Sequence, residues 1–204
     1  MTMGKKNYEK LITHFDSDDA SLLRGKTTEL GITMSALHVL DRIEPKKGSA
    51  LLDIGCGDGL MISAIRKFRP DLHIDGVDIS PHQCIKAQNN NPDSKIICGN
   101  ILDIDLKSFK KKYNYIFSFS FLQYINQKDI FYLQSCLQQL TAHDGYIIHC
   151  SIPDQKFKLL NTVDIQLQKR GYWGYLIGLL KYYLSIFYGK NSYGYGGFWH
   201  NPKK

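Results

Sequence analysis

Residues 50–59, ALLDIGCGDG, decide the fold of this chain, together with GVDIS at 76–80. The first stretch is a short apolar run that passes within a few residues into a glycine-rich loop. Such a turn leaves no room for side chains where a ligand lies across it, and glycine supplies both the positive φ and the close backbone approach. The glycines follow a G-x-G-x-G spacing, which differs from the G-x-G-x-x-G of dinucleotide folds. The pattern predicts a strand that ends in a ligand-binding loop.

An aspartate lies at the end of each of these two apolar runs. Asp53 falls inside the first strand end, where a carboxylate is costly to bury unless it holds donors in place or, through water, receives an ammonium group. Asp78 ends the second run, 19 residues after Gly59. A carboxylate there can accept both ribose hydroxyls of an adenosine, each bond contributing roughly 1.5–3 kcal/mol. Ser80-Pro81 offers a better N-cap for the following helix than Asp78 does.

Apolar runs and helical patterns alternate around these two stretches. Strands are predicted at 49–54, 74–79, 95–98, 114–119 and 145–151. Helices are predicted at 3–14, 32–43, 58–68, 81–89 and 127–141, with a short one at 105–112. This alternation favours a parallel sheet that is covered on both faces and joined by right-handed crossovers. In such a sheet, ligands lie beyond the carboxyl ends of the strands where the strand order reverses.

Length and composition fit one globular domain with an appended element. The chain has 204 residues, of which 43% are hydrophobic and 22% charged, as in ordinary soluble proteins. Its five cysteines form no C-x-x-C pair, so neither a zinc site nor a disulfide framework is supported, and no metal is expected. Free thiols and the lack of a secretory signal at the N-terminus favour a cytoplasmic protein.

The net charge of +7 raises nucleic acid, a membrane surface or an anionic substrate as partners. The basic residues come as short scattered runs, among them Lys46-Lys47 and Lys110 to Lys112. Scattered runs of this kind are typical of solvated faces rather than of one stripe that tracks phosphates. Charge alone therefore does not select a partner.

ALLDIGCGDG followed by GVDIS resembles the class I S-adenosylmethionine-dependent methyltransferases over about residues 48–154. The resemblance implies an α/β, Rossmann-like three-layer sandwich with a mainly parallel sheet of strand order 3-2-1-4-5. It also implies S-adenosylmethionine as cofactor and S-adenosylhomocysteine as product. In that family the glycine loop lies against the methionine and ribose, and the acid after strand two binds the ribose. The cofactor-binding residues implied in this way are Asp53, Gly55, Cys56, Gly57, Gly59, Asp78, Ile79, Asn100, Ile101 and Ser118.

The end of the third strand departs from the family pattern at Asn100. Many relatives carry an aspartate there, which contacts the adenine amino group. The side-chain oxygen of Asn100 can still accept from an exocyclic amine, and the backbone amide of Ile101 can serve the ring nitrogen N1. The resemblance places Ile79 against the adenine ring. Asp103 is interpreted as a turn residue.

The fourth and fifth strands lead to the predicted transfer site. Members of the family that methylate nitrogen in bases or glutamine carry an N/D-P-P-Y-like stretch after strand four, whereas this chain has Ser-Phe-Ser at 118–120. It resembles the small-molecule branch, with Ser118 near the cofactor. Substrate-facing residues are predicted at Gln123, Tyr124 and Trp199. General-base candidates are His149, Asp154 and His200, although His149 sits mid-strand, where a buried, satisfied histidine is the alternative.

Residues 172–188, YWGYLIGLLKYYLSIFY, carry seven aromatics and one charge, Lys181. Their apolar positions follow the stripe of an amphipathic helix, and the run is too short for a membrane-spanning helix. A lid over the substrate cleft is favoured, with interfacial membrane contact as the rival. The resemblance implies two further strands, but nothing after Gly189 has strand length and apolar content. An uncovered sheet edge would favour a homodimer.

Together these observations predict a methyltransferase domain over 1–154 and a helical, aromatic lid or substrate cap over 155–204. The predicted reaction moves a methyl group from S-adenosylmethionine to a hydroxyl or amine of a small metabolite, which could be sugar-, nucleotide- or lipid-linked. Three alternatives stay open: an RNA methyltransferase, a non-catalytic cofactor-binding subunit and a nicotinamide dehydrogenase, which the loop spacing disfavours. Nucleic acid is the less favoured partner.

Overall fold

The computed structural model describes residues 29–150 and five further helical residues, namely Trp173, Leu176, Ile177, Leu179 and Leu180. The chain divides into two compact units. One comprises Met1–Phe121 and Lys128–Cys150, and the other comprises Leu122–Gln127 and Ser151–Lys204. The helix predicted at 3–14 lies outside the described residues.

Helices and strands alternate regularly between residues 29 and 150. The helices in this part are α1 (Glu29–Ile43), α2 (Leu60–Phe68), α3 (Pro81–Asn90) and α4 (Ile130–Leu140). The strands are β1 (Ala50–Ile54), β2 (His73–Asp78), β3 (Ile96–Cys98), β4 (Tyr113–Phe119) and β5 (Thr141–Cys150). Short 3-10 turns occur at Leu106–Ser108, Leu122–Tyr124 and Gln127–Asp129, the first of them within the short helix predicted at 105–112.

The five strands form one parallel sheet in the order β3-β2-β1-β4-β5. The predicted fold class and strand order are therefore confirmed. Asp53 of β1 pairs with Gly76 of β2, and Asp78 of β2 pairs with Cys98 of β3. The chain moves outward from β1 to β3 and then crosses back to β4, so the strand order reverses between β1 and β4. The carboxyl end of β1 lies beside this switch point, where ligands of open α/β sheets bind.

Strand β1 occupies the centre of the sheet and is buried along almost its whole length. Leu51, Leu52 and Ile54 have no exposed surface, because helices cover both faces of a parallel sheet. Apolar residues of α1 and α2, such as Val39 and Ile65, join Leu51 in the main core cluster. The site loop therefore starts from a central, buried strand of the sheet.

Helices α2 and α3 begin in different ways. At the start of α3, the Ser80 hydroxyl accepts a hydrogen bond from the backbone N–H of Gln83, and Pro81 is the first helical residue; this is the predicted cap. Helix α2 instead begins after Gly59, which has a φ of 77° and provides no side-chain cap. The glycine loop therefore leads directly into the first turn of α2, without a side-chain cap between them.

Strand β5 is longer than the sequence indicates. It begins at Thr141, directly after α4, rather than at 145. Its register with β4 shifts between Tyr113 and Tyr115, next to Gly145, where an added Cβ would lie 2.8 Å from the carbonyl oxygen of Asn114. Glycine permits this close backbone approach, so the strand continues through an irregular, partly polar segment that has no strand-like pattern.

Candidate functional site

Three glycines of the loop after β1 adopt left-handed backbone conformations. Gly55, Gly57 and Gly59 have φ values of 75°, 55° and 77°, a region that other residues rarely adopt. The backbone N–H groups of Gly55 and Cys56 both donate to the carbonyl oxygen of Val77, at 2.8 and 3.1 Å. These bonds hold the loop against the end of β2.

Two of the loop glycines are also required by the protein's own packing. A Cβ on Gly55 would lie 2.6 Å from the Phe121 ring, and one on Gly59 would lie 2.5 Å from Nδ2 of Asn91 and 3.1 Å from Cα of Ala87. The sequence suggests close approach to a ligand as the reason for these glycines. The structure adds a second reason, namely contact with Phe121 and with the end of α3.

Asp78 connects the glycine loop to the ends of β2 and β3. Its Oδ2 accepts from the N–H of Gly57 at 2.8 Å, and its Oδ1 accepts from the N–H of Ser80 at 2.9 Å. Its carbonyl oxygen accepts from the N–H of Gly99 at 2.8 Å. An ionised carboxylate has about four acceptor positions, so the same group can fix the loop and accept hydroxyl groups of a ligand. The carboxylate and the glycine loop are thus held in one fixed geometry.

Asp53 is buried near the carboxyl end of β1. The pKa of Cys150, at the end of β5, is raised mainly by burial; the charge of Arg42 lowers it, and the charge of Asp53 raises it further. The end of β5 therefore lies within electrostatic range of Asp53. The predicted role of Asp53 in orienting the loop or receiving an ammonium group stays a prediction.

Asn100 forms a tight turn after β3. Its Oδ1 accepts from the N–H of Leu102 at 3.1 Å, and its Nδ2 donates to Asp103 at 2.8 Å. The N–H of Asp103 in turn donates to the Asn100 carbonyl oxygen, which supports the interpretation of Asp103 as a turn residue. An amide oxygen has two acceptor positions, so the turn is compatible with a contact to an adenine amino group, and that role stays a prediction. The adjacent Ile101 is buried.

Ser118, His149 and Gln134 form a chain of side chains across β4, β5 and α4. The Ser118 hydroxyl lies 2.7 Å from Nδ1 of His149, and Nε2 of Gln134 lies 2.7 Å from Nε2 of His149. A neutral imidazole has one donor and one acceptor, and both are engaged here. Burial lowers the pKa of His149 to about 4, so the ring is neutral at pH 7. This arrangement favours a satisfied, partly buried histidine over the general base.

The structure brings together the predicted residues that follow β1, β2 and β3, whereas the predicted substrate residues are distributed differently. Gln123 and Tyr124 lie in the turn Leu122–Tyr124, which belongs to the second compact unit. Asp154, Trp199 and His200 lie outside the described residues.

Three residues at the site carried no signal in the sequence, namely Asn91, Phe121 and Gln134. Asn91 is the most informative of them, because it is buried, donates to the carbonyl oxygen of Gly59 at 3.0 Å and accepts from the hydroxyl of Ser63 at 2.9 Å. Only a helix C-cap position immediately after α3 could have drawn attention to it.

A polar cavity of about 200 Å³ lies elsewhere, at the amino end of β2. Its lining includes Arg66, His73, Asp75 and Lys111. The Asp75 carboxylate accepts from Tyr113 at 2.8 Å and pairs with Lys111 at 2.9 Å. The pKa of Tyr113 is raised mainly by burial and, to a lesser extent, by the nearby Asp75 carboxylate. These partners satisfy the buried charge, so we interpret the cluster as structural.

Comparison with known proteins is consistent with this geometry. Residues 52–147 match the family model described as "Methyltransferase domain". The malonyl-[acyl-carrier protein] O-methyltransferase 1 of Ilyobacter polytropus is 29% identical over 154 residues, which cover 71% of this chain and 57% of that protein. The chain thus spans little more than half the length of this curated relative.

Solved structures share the fold. Magnesium protoporphyrin IX methyltransferase from Synechocystis PCC 6803 with bound S-adenosylhomocysteine superposes with a TM-score of 0.65, covering 96% of this chain and 84% of that chain at 14% identity. The S-adenosylmethionine-bound structure of an amino pentose methyltransferase from Micromonospora echinaspora gives a TM-score of 0.53 over 67% of this chain and 56% of that chain at 20% identity. At these identities the likeness concerns the fold.

Proposed function

We propose that the chain is a class I S-adenosylmethionine-dependent methyltransferase, which the match of residues 52–147 to a methyltransferase-domain model supports, and that it transfers a methyl group from S-adenosylmethionine to a hydroxyl or amine of a small metabolite. One observation carries the proposal. The Asp78 carboxylate is bonded to the N–H of Gly57 at 2.8 Å, so a charged acceptor and a glycine-rich turn lie side by side at the switch point of the sheet.

The donor set fits an adenosyl group. Asp78 would accept the ribose hydroxyls, since a carboxylate is acceptor-only and binds a vicinal diol through charge-assisted bonds. The backbone of Gly55 and Gly57 would lie along the ribose and methionine; both glycines have a positive φ, and a Cβ on Gly55 would lie 2.6 Å from the Phe121 ring. Ile79 and Asn100 would contact the adenine, with the amide of Ile101 as a further donor. Cys56, Asp53 and Gly59 complete the loop.

The chain's own residues would act mainly by positioning. When bound, S-adenosylmethionine supplies a methyl carbon with a good leaving group, so direct displacement by the acceptor suffices. Alignment of the reacting atoms can contribute up to roughly 7–11 kcal/mol. A rigid loop on the buried strand β1 serves this purpose, because the cofactor's position is then set by backbone atoms.

The geometry of His149 does not support a role as general base. Both of its ring nitrogens are engaged, and its pKa of about 4 makes it a weak proton acceptor at neutral pH. We propose that it positions Ser118 beside the cofactor. Asp154 and His200 remain as proposed bases.

The acceptor is proposed as a class only. The relatives named above are a malonyl-[acyl-carrier protein] O-methyltransferase, an amino pentose methyltransferase and a magnesium protoporphyrin IX methyltransferase. Their acceptors differ chemically, which is why we infer a small-molecule acceptor without naming it. Gln123, Tyr124 and Trp199 are proposed to face it, and residues 155–204 to serve as its cap. The outer side of β5, an edge of the described sheet, is the proposed site of homodimer formation.

Isothermal titration calorimetry with S-adenosylhomocysteine tests the proposal. We expect the full chain to bind this ligand and not NAD. Asp78→Ala is expected to weaken binding at least about tenfold, equivalent to 1.4 kcal/mol, because the ribose loses its charged acceptor. Binding of NAD in preference to S-adenosylhomocysteine would contradict the proposed function.

Asp75→Asn provides the matched control. Asp75 is likewise a carboxylate of β2 and is buried, but it lies three residues before Asp78, about 10 Å along the strand, and it bonds to Tyr113 and Lys95 instead of the loop. Its substitution should leave the affinity unchanged. An equal loss of affinity in both variants would show that the effect of Asp78→Ala arises from general damage to β2.

A further inference from the structure

One face of the helical segment in the second unit exposes three large apolar side chains. Trp173, Leu176 and Leu180 are 73%, 41% and 60% exposed, respectively. Their spacing of i, i+3 and i+7 places them on a single helical face. None of the helices in the part of the chain that the structure describes is long and apolar enough to cross a membrane.

The sequence around this face carries nearly all of the chain's net charge. Residues 151–204 contain eight Lys and Arg against two Asp, whereas residues 1–150 contain 18 Lys and Arg against 17 Asp and Glu. The segment therefore contributes +6 of the total of +7. It also holds both tryptophans and 12 of the 25 aromatic residues.

We infer that the face formed by Trp173, Leu176 and Leu180, hereafter the apolar helix face, docks on an anionic lipid membrane surface. Leucines and tryptophan would enter the boundary between headgroups and acyl chains, and the Lys and Arg of the same stretch of sequence would be attracted to anionic headgroups. Tryptophan and tyrosine are favoured at this interface, because their rings have both an apolar body and a polar group. This inference concerns the second unit and does not depend on methyl transfer.

Charge and side-chain chemistry favour lipid over other occupants of this face. RNA phosphates would attract the basic residues, but leucine side chains gain nothing from a phosphate backbone. A second copy of the chain would bring a second segment of charge +6 against the first, and like charges oppose such pairing. An anionic membrane satisfies both the charge and the apolar surface.

Helix α1 provides a matched control surface. Leu30, Met34 and Leu37 are 70%, 59% and 40% exposed and share one face at i, i+4 and i+7. The exposed fractions are almost the same as those of the apolar helix face. The charged residues of α1 are Glu29, Asp41 and Arg42, and Glu29 pairs with Lys67 at 3.4 Å. The helix itself therefore carries no net positive charge, and this second face is not expected to bind an anionic membrane.

Vesicle co-sedimentation of the full chain tests the inference. We expect binding to vesicles of phosphatidylcholine with phosphatidylserine, weaker binding at high salt, and little binding to phosphatidylcholine alone. A variant with Trp173→Ser, Leu176→Ser and Leu180→Ser should bind at least about tenfold more weakly, because the apolar contribution is lost. The corresponding variant with Leu30→Ser, Met34→Ser and Leu37→Ser should bind like the wild type. Equal binding by all three proteins, or none by the wild type, would overturn the inference.

A second measurement covers the case in which the triple variant does not fold. In a Trp199→Phe chain, Trp173 is the remaining tryptophan, and its emission should shift to shorter wavelength when anionic vesicles are added. An unchanged emission would contradict insertion of Trp173. Tight binding of single-stranded RNA that competes with the vesicles and persists in the triple variant would instead identify the basic segment as a nucleic-acid surface and would overturn the lipid assignment.

Discussion

At the residue scale, the candidate site depends on a few polar side chains that are held in place by hydrogen bonds to backbone groups. Asp78 is the clearest case, because both carboxylate oxygens accept from backbone N–H groups, one from the glycine loop and one from the start of α3. A carboxylate held in this way cannot rotate without breaking a charge-assisted bond. Its orientation toward a ligand is therefore set before the ligand binds, which lowers the entropic cost of binding.

His149 provides a prediction about stability. Its pKa is lowered from an ordinary 6.5 to about 4 by burial, so between these values the unfolded chain binds a proton that the folded chain does not. The free energy of unfolding should therefore fall as pH decreases from about 7 to 4, with a contribution from His149 of up to about 3 kcal/mol. Below about pH 4 both states bind the proton and this contribution stops growing.

Urea unfolding of the wild type and of His149→Gln at several pH values measures this effect. Glutamine stays neutral throughout, so the stability of the variant should depend less steeply on pH than that of the wild type. The other titrating groups are common to both proteins and cancel in the comparison. Parallel pH profiles would show that His149 does not titrate with a lowered pKa.

The sequence identified Asp78 and the three loop glycines because their roles depend on local spacing. Positive φ and a carboxylate at a strand end are properties of short segments. Asn91, Phe121 and Gln134 could not be identified in this way. Their roles come from contacts with Gly59, Gly55 and His149, which lie 15 to 66 residues away in the sequence and become neighbours only when the sheet has formed.

At the element scale, the glycine loop is fixed by the packing of α2 against α3. Asn91, immediately after α3, donates to the Gly59 carbonyl oxygen and accepts from Ser63 in the first turns of α2. The neighbouring Asn90 donates to the carbonyl oxygen of Asp58. The end of α3 thus bonds to the loop just where α2 begins without a side-chain cap.

Gly59→Ala tests this packing, and Gly48→Ala is its control. Both glycines have nearly the same φ, 77° and 74°, but a Cβ on Gly48 has nothing within 4 Å, whereas one on Gly59 would lie 2.5 Å from Asn91. Gly48→Ala should lower the free energy of unfolding by about 1 kcal/mol from backbone strain alone. Gly59→Ala should cost at least about 3 kcal/mol, because α2 and α3 must separate as well. Equal losses of unfolding free energy in the two variants, measured by urea unfolding, would show that α2 and α3 separate at no cost in stability.

The sequence predicted the four described helices and the strands β1 to β4 to within three residues at each end, because apolar runs and caps define them. It placed the start of β5 four residues too late. The segment 141–144 is polar and has no alternation, and its extended conformation comes from pairing with Tyr113 across an irregular register. Tertiary pairing of this kind overrides local pattern.

At the scale of the whole molecule, the parallel sheet and the net positive charge belong to different parts of the chain. The parallel sheet and the glycine loop belong to the part of the chain before residue 151, which is nearly neutral, whereas the net charge of +6 belongs to residues 151–204. The strand order was implied by the resemblance to the class I methyltransferases. Contacts between residues divide the chain into two units, and Leu122–Gln127 belong to the second unit. The domain boundary predicted at 154 does not include this assignment.

A crystal structure of the full chain with S-adenosylhomocysteine would locate the bound cofactor relative to the glycine loop and Asp78. We expect the adenosyl group beyond the carboxyl end of β1, with its ribose hydroxyls within hydrogen-bond distance of the Asp78 carboxylate and its homocysteine part along Gly55 to Gly59. The same crystals with no ligand at this loop, or with the ligand bound at a distance from Asp78, would contradict this expectation.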